Sequence, residues 1–183
     1  MRYLISDIPQ GSAKGFNQSF SESSESLGFT EGEICIEGKV EGHLKLWRER
    51  AIVTIQGEIS VNVSLQCCRC LAGVMMSLYP VLTLRCFPEA LIDNDLHETG
   101  EVSPEDDIYT YAGMFLDIRP IVREQLLLAV PPYSYCRSDC YGLCVVCGQD
   151  LNRVKCGCSA TRSDSRFVAR QHLKPTFRIT KHG

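Results

Sequence analysis

The chain has 183 residues, of which 44% are hydrophobic and 22% charged, and its formal net charge is −3. This composition is ordinary for a globular protein with one core and room for a small appended module. The first residues, MRYLISDIPQGSAKGF, lack the basic start and apolar stretch of a signal peptide, and no window approaches the roughly 20 apolar residues that cross a bilayer. We therefore expect a cytoplasmic protein with no membrane contact.

The first half of the chain predicts a sheet. Residues 11–32, rich in serine, glycine and acids, show no hydrophobic period and are predicted to form a loop. Residues 33–47 then alternate between apolar and polar, with Gly38 and Gly42 indicating a bulge or bend. The alternation is clearest in residues 53–67 and continues through residues 74–87. Three such runs with short connections predict an antiparallel meander sheet with one face in water.

The chain changes character after the sheet. Residues 88–107 contain eight acidic residues and no lysine or arginine, which predicts an exposed acidic loop. A helix should follow, with Asp117 as its N-cap and Pro120 in its first turn, and Pro131-Pro132 should end it. The predicted fold class is therefore α+β: an antiparallel meander sheet packed with a helix, plus a small C-terminal Cys-rich zinc module and a basic tail helix.

Charge is distributed unevenly along the chain. Residues 1–150 carry 11 basic and 21 acidic side chains, a net of −10, whereas residues 151–183 carry eight basic side chains and one acidic, a net of +7. A basic tail on an acidic body suits contact with a phosphate backbone, although a solvated helix or a tail folded onto the body fits the charges equally. The predicted parts are residues 1–132 (sheet with packed helix), 133–160 (Cys-rich zinc-binding module) and 161–183 (basic helix and tail).

Cysteine is the most informative residue type. Six of the 23 residues from Cys136 to Cys158 are cysteine, and the chain has 11 in all. In a reducing compartment, clustered cysteines bind metal more often than they form disulfides, and an odd total argues against a complete disulfide set. Zn²⁺ is borderline-soft and takes four ligands, which thiolates suit well. Metal binding is therefore favoured over a disulfide framework or a redox centre, and four thiolates would also suit a rubredoxin-like iron site.

The segment from Cys144 to Gly148, CVVCG, has the form of a metal-binding knuckle, with glycine where the turn needs a positive φ. A second C-x-x-C pair, at the end of the best strand, could join it, or its first cysteine could simply be a core residue. Cys35 and Cys86 have no paired spacing and are predicted to be ordinary thiols. The preferred ligands are Cys140, Cys144, Cys147 and Cys158, with Cys136 and Cys156 as alternates and Cys67 and Cys70 as the second pair.

No catalytic constellation is recognisable in the sequence. The four histidines are scattered, and there is no phosphate-cradling glycine motif, nucleophile elbow or kinase signature. An all-cysteine zinc site is usually closed and structural, whereas catalytic zinc keeps an open coordination position. We therefore expect no enzymatic activity and no small-molecule substrate.

Four segments carry a family resemblance: LQCCRCL, DIRPIVREQLLLAVPP, C-x3-C-YGLCVVCGQDLN-x3-CGC and DSRFVARQHLK, in this order. Over roughly residues 35–175 the chain resembles the long, Cys-rich form of the bacterial and plastid YceD family. That family is associated with accumulation of 23S ribosomal RNA and large-subunit assembly, and its Cys-rich tail is expected to hold zinc. The matching positions are Cys67, Arg69, Cys70, Asp117, Pro120, Cys136, Cys140, Cys144, Cys147, Gly148, Leu151, Asn152, Cys156, Cys158, Asp164 and Arg166.

The chain departs from the family pattern at two positions. Val145 stands where a proline is usual, which loosens the knuckle turn without removing a ligand. Cys68 occupies the variable position of C-x-R-C and adds a thiol that could compete for metal. Shorter relatives lack most of the tail cysteines, which implies that zinc stabilises this branch of the family and is not its essential activity.

Resemblance and charge together predict a factor that binds pre-ribosomal RNA or a large-subunit particle, supporting 23S rRNA accumulation. A second hypothesis is a protein–protein adaptor, whose acidic body holds a basic ribosomal protein without direct RNA contact. A third is a thiol redox protein, which requires exposed cysteines of low pKa. The residues predicted to meet RNA phosphates are Arg162, Arg166, Arg170, Lys174 and Arg178.

Overall fold

The computed structural model describes residues 1–30, 32–92 and 108–158. Within them, a multi-stranded sheet and a helix confirm the mixed α+β class, and no helix has the length and apolar character needed to span a bilayer. The predicted tail helix, its five basic residues and most of the predicted acidic loop lie outside these ranges. The elements are β1 (Arg2–Leu4), β2 (Phe16–Glu22), β3 (Cys35–Glu49), β4 (Ile52–Gln66), β5 (Gly73–Leu78), β6 (Val81–Pro88), α1 (Glu89–Ile92), β7 (Ile108–Tyr111), β8 (Phe115–Asp117) and α2 (Arg119–Ala129), with 3₁₀ turns at Ile5–Asp7 and Ser12–Lys14.

Strand β4 is the centre of the six-stranded sheet. It pairs with β3 along one edge and with β6 and then β5 along the other, and β2 lies outside β3. Strand β7 pairs with β6 in parallel, so the prediction of a purely antiparallel meander is wrong at this last strand. A parallel pair needs a connection of about a dozen residues or more, and residues 89–107, which separate β6 from β7 in sequence, are long enough for one. Strands β1 and β8 form a separate antiparallel pair.

The alternation in the sequence places one face of the sheet in the core. In β4 the side chains of Val53, Ile55, Ile59, Val61 and Val63 are buried, whereas the polar residues between them are not. Helix α2 contributes its own apolar stripe to the same hydrophobic cluster. The buried residues of α2 are Ile121, Val122 and Leu126.

Helix α2 begins and ends close to the predicted positions. Ile118 holds the cap position, one residue after the predicted Asp117, but the Asp117 carboxylate accepts the backbone N–H of Arg119 at 3.1 Å. Pro120 lies in the first turn, where its missing N–H costs no helical hydrogen bond. The helix ends at Ala129, just before the two prolines.

Two loop predictions are wrong in part. Residues 16–22 were predicted as loop but form β2. The sequence pattern missed this strand because Phe16 and Phe20 are its only large apolar residues and the others are polar. Residues 88–92, predicted as the start of the acidic loop, finish β6 and form α1.

The bulge expected near Gly38 is confirmed by a register shift between Glu37 and Glu41. Gly42 pairs regularly with Ile59.

Helix α2 provides a matched pair of leucines that tests the packing. Leu126 is fully buried and Leu128 is 68% exposed. We expect Leu126→Ala to lower the free energy of unfolding by about 2–5 kcal/mol, because it leaves a cavity in the core. Leu128→Ala should change it by less than about 0.5 kcal/mol. Denaturant unfolding of the metal-replete protein measures both, and equal effects of the two substitutions would contradict the packing described.

Candidate metal centres

The structure gathers eight cysteines into two clusters. The sheet-end cluster consists of Cys67, Cys70, Cys136 and Cys140, and the tail cluster of Cys144, Cys147, Cys156 and Cys158. Within each cluster all four sulfur atoms lie within 4.8 Å of one another. The preferred set from the sequence is not brought together as a unit, because Cys140 lies in the sheet-end cluster and its three companions in the tail cluster. The pair Cys67 and Cys70 meets Cys136 and Cys140, not the knuckle at Cys144 and Cys147.

In the sheet-end cluster, two sulfur–sulfur distances fit a single tetrahedral ion. A Zn–S bond of about 2.3 Å places the sulfurs of a tetrahedral site about 3.8 Å apart. Cys70 Sγ lies 3.6 Å from Cys136 Sγ, and Cys67 Sγ lies 3.9 Å from Cys140 Sγ. Both distances far exceed the roughly 2.05 Å of a disulfide bond, and all eleven cysteines are free thiols.

The two C-x-x-C pairs adopt the same turn. The N–H of Leu71 donates to the C=O of Cys67 at 2.9 Å, and the N–H of Gly148 donates to the C=O of Cys144 at 2.8 Å. In both turns the N–H of the first cysteine donates, at 2.8 Å, to the C=O five residues later. Gly148 has a φ of 74°, which confirms the positive φ predicted for it, and Leu71 has a φ of 62°. Leucine is disfavoured in this conformation, so the residue after Cys70 does not mark a turn in the sequence as Gly148 does, and only the C-x-x-C spacing indicated it.

The chain after α2 is tied to the end of β4, and this tie assembles the sheet-end cluster. The hydroxyl of Ser134 donates to the C=O of Gln66 at 2.5 Å, and the C=O of Ser134 accepts the N–H of Cys68 at 2.8 Å. Ser134 is itself buried. Because Cys67 follows Gln66 directly, these two hydrogen bonds bring Cys136 and Cys140 close to Cys67 and Cys70, just after the end of β4.

Arg69, between the two cysteines of the first turn, reinforces this tie. Its Nη1 donates to the C=O of Cys140 at 2.9 Å and of Ser138 at 3.2 Å, and its guanidinium carbon lies 4.7 Å from the centre of the Tyr135 ring. The C=O of Arg69 accepts the N–H of Leu143 at 3.0 Å. Sequence reasoning named Arg69 as a family position without a role, because its partners lie about 70 residues away along the chain.

The clusters hold thiols of unequal acidity. Backbone hydrogen bonds, led by Cys136 and Cys70, lower the pKa of the Cys67 thiol to about 6, and those led by Cys147 and Val146 lower that of Cys144 to about 6. Desolvation raises the pKa of Cys136 to about 12. One thiol in each cluster, Cys67 or Cys144, is thus ready to ionise at neutral pH, whereas Cys136 needs a neighbouring cation to lose its proton.

The remaining three cysteines lie outside both clusters. Cys86 packs in the hydrophobic core, and burial raises the pKa of its thiol to about 12. Cys35 and Cys68 are exposed. Cys68 lies in the first turn, between Cys67 and Arg69, but belongs to neither cluster.

The segment 133–158 has no hydrophobic core of its own. Its buried residues are two cysteines, a serine and a glycine: Cys140, Cys144, Ser134 and Gly142. Leu143 and Leu151 are half-buried, and its other large apolar side chains are exposed, namely Tyr133, Tyr135, Tyr141, Val145, Val146 and Val154. Sulfur and backbone hydrogen bonds occupy the positions that apolar side chains fill in an ordinary domain, which is typical of a small unit folded around metal.

Fold and clusters define a mixed α+β protein whose chain returns from its helix into two four-cysteine clusters beside the sheet. Residues 55–174 match the family model described as "Large ribosomal RNA subunit accumulation protein YceD". The chain therefore belongs to the YceD family, which confirms the resemblance seen in its motifs. The family description refers to large-subunit ribosomal RNA and names no reaction.

Curated relatives add little about function. Uncharacterised proteins of Mycobacterium bovis (strain ATCC BAA-935 / AF2122/97) and of Mycobacterium tuberculosis (strains CDC 1551 / Oshkosh and ATCC 25618 / H37Rv) are each 28% identical to this chain over 100 residues. The alignment covers 54% of this chain and 45% of each relative, so the chain spans less than half the length of the curated relatives it matches. No solved structure matches the chain significantly.

Gly142 provides a test of the contact between the first turn and the tail. It has a φ of 76°, and a Cβ atom there would lie 2.9 Å from the C=O oxygen of Arg69. We expect Gly142→Ala to destabilise the segment 133–158 by about 1–3 kcal/mol, since it adds both strain and a clash. Faster reaction of the clustered cysteines with a thiol reagent measures this loss. Gly157→Ala is the control, because a Cβ there meets nothing within 4 Å, and equal reactivity of the two variants would contradict the contact.

Proposed function

We propose that this protein is a non-catalytic factor that supports accumulation of 23S ribosomal RNA and assembly of the large ribosomal subunit, and that it carries two structural zinc ions. Family membership supports the link to large-subunit ribosomal RNA. The observation that carries the zinc proposal is the pair of four-cysteine clusters, each with a complete set of sulfur ligands. The proposed ligands are Cys67, Cys70, Cys136 and Cys140 for one ion, and Cys144, Cys147, Cys156 and Cys158 for the other.

A complete set of four thiolates supports a structural role for each ion. Such a site leaves no open coordination position for water or substrate, which catalytic zinc requires. The ion of the sheet-end cluster would fasten the chain after α2 to the end of β4, and that of the tail cluster would close the loop between Cys144 and Cys158. Because the segment 133–158 buries so little apolar surface, metal binding would supply most of its folding free energy. The metal would thereby fix where the basic residues beyond Cys158 leave the body.

Metal content tests the zinc proposal directly. We expect native mass spectrometry of the purified chain to show two zinc ions, and elemental analysis to exclude iron. Cys70→Ser and Cys147→Ser should each lose one ion, because each removes a ligand from a different cluster. Cys35→Ser, which changes an exposed thiol outside both clusters, should keep two.

Other outcomes of this measurement count against the proposal in distinct ways. A single ion lost on both Cys70→Ser and Cys147→Ser would contradict two separate centres. A metal-free chain whose clustered cysteines react rapidly with a thiol probe would favour the redox hypothesis, because reactive redox cysteines are accessible thiolates.

The proposed contact with RNA belongs to the basic C-terminal residues. Residues 151–183 carry a net charge of +7, against −10 for residues 1–150. Lysine and arginine contacts to phosphate position a protein on RNA without reading its sequence, so this contact would place the factor on a particle and not select a base sequence. The proposed residues are Arg162, Arg166, Arg170, Lys174 and Arg178.

Salt and charge removal test the tail contact. We expect the double variant Arg166→Gln, Arg170→Gln to bind large-subunit precursor particles more weakly and with a smaller dependence on salt, since each lost phosphate contact reduces the slope of log K against log salt by roughly 0.7–0.9. Co-sedimentation over a salt series measures both quantities. The double variant Lys14→Gln, Lys39→Gln removes the same charge from exposed positions of the body and should bind like the unaltered protein. Binding that is insensitive to salt would contradict the tail role.

The acidic body favours a second candidate function, an adaptor that holds a basic ribosomal protein without touching RNA. A net charge of −10 over residues 1–150 repels naked RNA and attracts basic partners. Affinity capture of the tagged protein with and without ribonuclease separates the two functions. Partners released by digestion support RNA contact, whereas a basic ribosomal protein that stays bound supports the adaptor.

A further inference from the structure

Asn152 belongs to the loop of one cluster but contacts a ligand of the other. It lies in the loop between Cys147 and Cys156, both members of the tail cluster. Its side-chain nitrogen Nδ2 donates to Cys140 Sγ, in the sheet-end cluster, at 3.4 Å. A hydrogen bond from a neighbouring side chain to a coordinating sulfur stabilises the thiolate and orients it, and such contacts commonly change metal affinity.

The hydrogen bonds of the Asn152 amide fix its orientation. Its oxygen accepts the N–H of Tyr141 and an Arg137 Nη2 hydrogen, both at 2.8 Å. Its nitrogen donates to Asp150 Oδ1 at 2.7 Å and to the Cys140 sulfur. An amide has two acceptor sites and two donor hydrogens, and all four are used here. Reversing the amide would point its oxygen at a carboxylate and a thiolate, so the donor must face Cys140.

The loop that carries Asn152 is held by the tail cluster. Its two ends are cysteines of that cluster, and its middle is fastened by the N–H of Leu151, which donates to the C=O of Gly142 at 2.9 Å. The Asp150 carboxylate also accepts the backbone N–H of Asn152 at 3.0 Å. An ion in the tail cluster would restrain both ends of this loop at once, and hence the position of the amide that faces Cys140.

We propose that Asn152 couples the two metal centres, so that an ion in the tail cluster raises the affinity of the sheet-end cluster for its own ion. This inference rests on the two-zinc function proposed above and adds cooperativity to it. Linkage requires the effect to be reciprocal, so an ion in the sheet-end cluster raises the affinity of the tail cluster by the same factor. A factor of about ten is expected, at the lower end of what such neighbouring hydrogen bonds contribute.

Zinc titration of the apo-protein, followed by native mass spectrometry, reads out the coupling. At half saturation the unaltered chain should hold mostly zero or two ions, with the one-ion species below the share that independent sites would give. In Asn152→Ala the one-ion species should rise towards that independent share. Gln149→Ala is the matched control, because it changes an exposed side chain of the same loop and should keep the distribution of the unaltered chain.

A chelator competition separates the hydrogen bond from simple loss of packing. Disabling the tail cluster with Cys147→Ser and Cys158→Ser should lower the zinc affinity of the sheet-end cluster about tenfold in the unaltered background and less than about twofold in Asn152→Ala. Asn152→Asp keeps the shape but turns an oxygen towards the thiolate, so it should weaken the sheet-end cluster at least as much as alanine does.

The outcomes distinguish this inference from the function on which it rests. An unaltered chain that holds fewer than two ions overturns the two-zinc proposal and the coupling with it. Two ions bound with the same one-ion share in the unaltered chain and in Asn152→Ala overturn the coupling alone. The coupling is also overturned if loss of the tail cluster lowers the zinc affinity of the sheet-end cluster equally with and without Asn152.

Discussion

The cysteine-rich part of this structure depends on one contact, the attachment of the chain after α2 to the end of β4. Ser134 bonds both the last residue of the strand and the turn beyond it, and Arg69 reaches across to the C=O of Cys140. These bonds join segments that lie about 70 residues apart in sequence. Closing so long a loop costs conformational entropy, and the few buried apolar groups of segment 133–158 cannot offset that cost. The four sulfurs that the contact brings together are the groups through which a metal ion would do so.

The two clusters are neighbours in sequence and in space, and this shapes what each contributes. Cys140 and Cys144 belong to different clusters but are separated by only three residues, Tyr141-Gly142-Leu143. All three of these residues use a backbone group to bond flanking parts of the structure. The N–H of Tyr141 donates to the side-chain oxygen of Asn152, the C=O of Gly142 accepts the N–H of Leu151, and the N–H of Leu143 donates to the C=O of Arg69. Moving one cluster relative to the other would therefore disturb the hydrogen bonds of these three connecting residues. The two proposed ions would therefore stabilise one unit and not two independent knuckles.

Local patterns in the sequence predicted the parts of the fold that depend on local physics. Strict alternation identified β3 and β4, an apolar stripe ended by two prolines identified α2, and glycine after Cys147 identified a turn of positive φ. Pairings across long distances did not follow from pattern, including the parallel join of β7 and the edge strand β2 with its two phenylalanines. The number of clustered cysteines could have predicted their grouping, but the spacing of cysteines within the tail pointed to a different set of four. The C-x-x-C pair after β4 and the six tail cysteines make eight, enough for two sites of four ligands each.

Charge places the two proposed partners on different parts of the molecule. Each four-thiolate centre with one divalent ion carries a formal negative charge, so metal loading would make the already acidic body more negative. RNA phosphates are repelled by such a surface and attracted by the basic residues that follow it, whereas a basic ribosomal protein has the opposite preference. The body and its own tail also attract each other, and RNA must compete with that attraction. RNA contact through the tail and protein contact through the body would therefore be compatible in one molecule, and the proposed metal ions would lie where the acidic part of the chain meets the basic part.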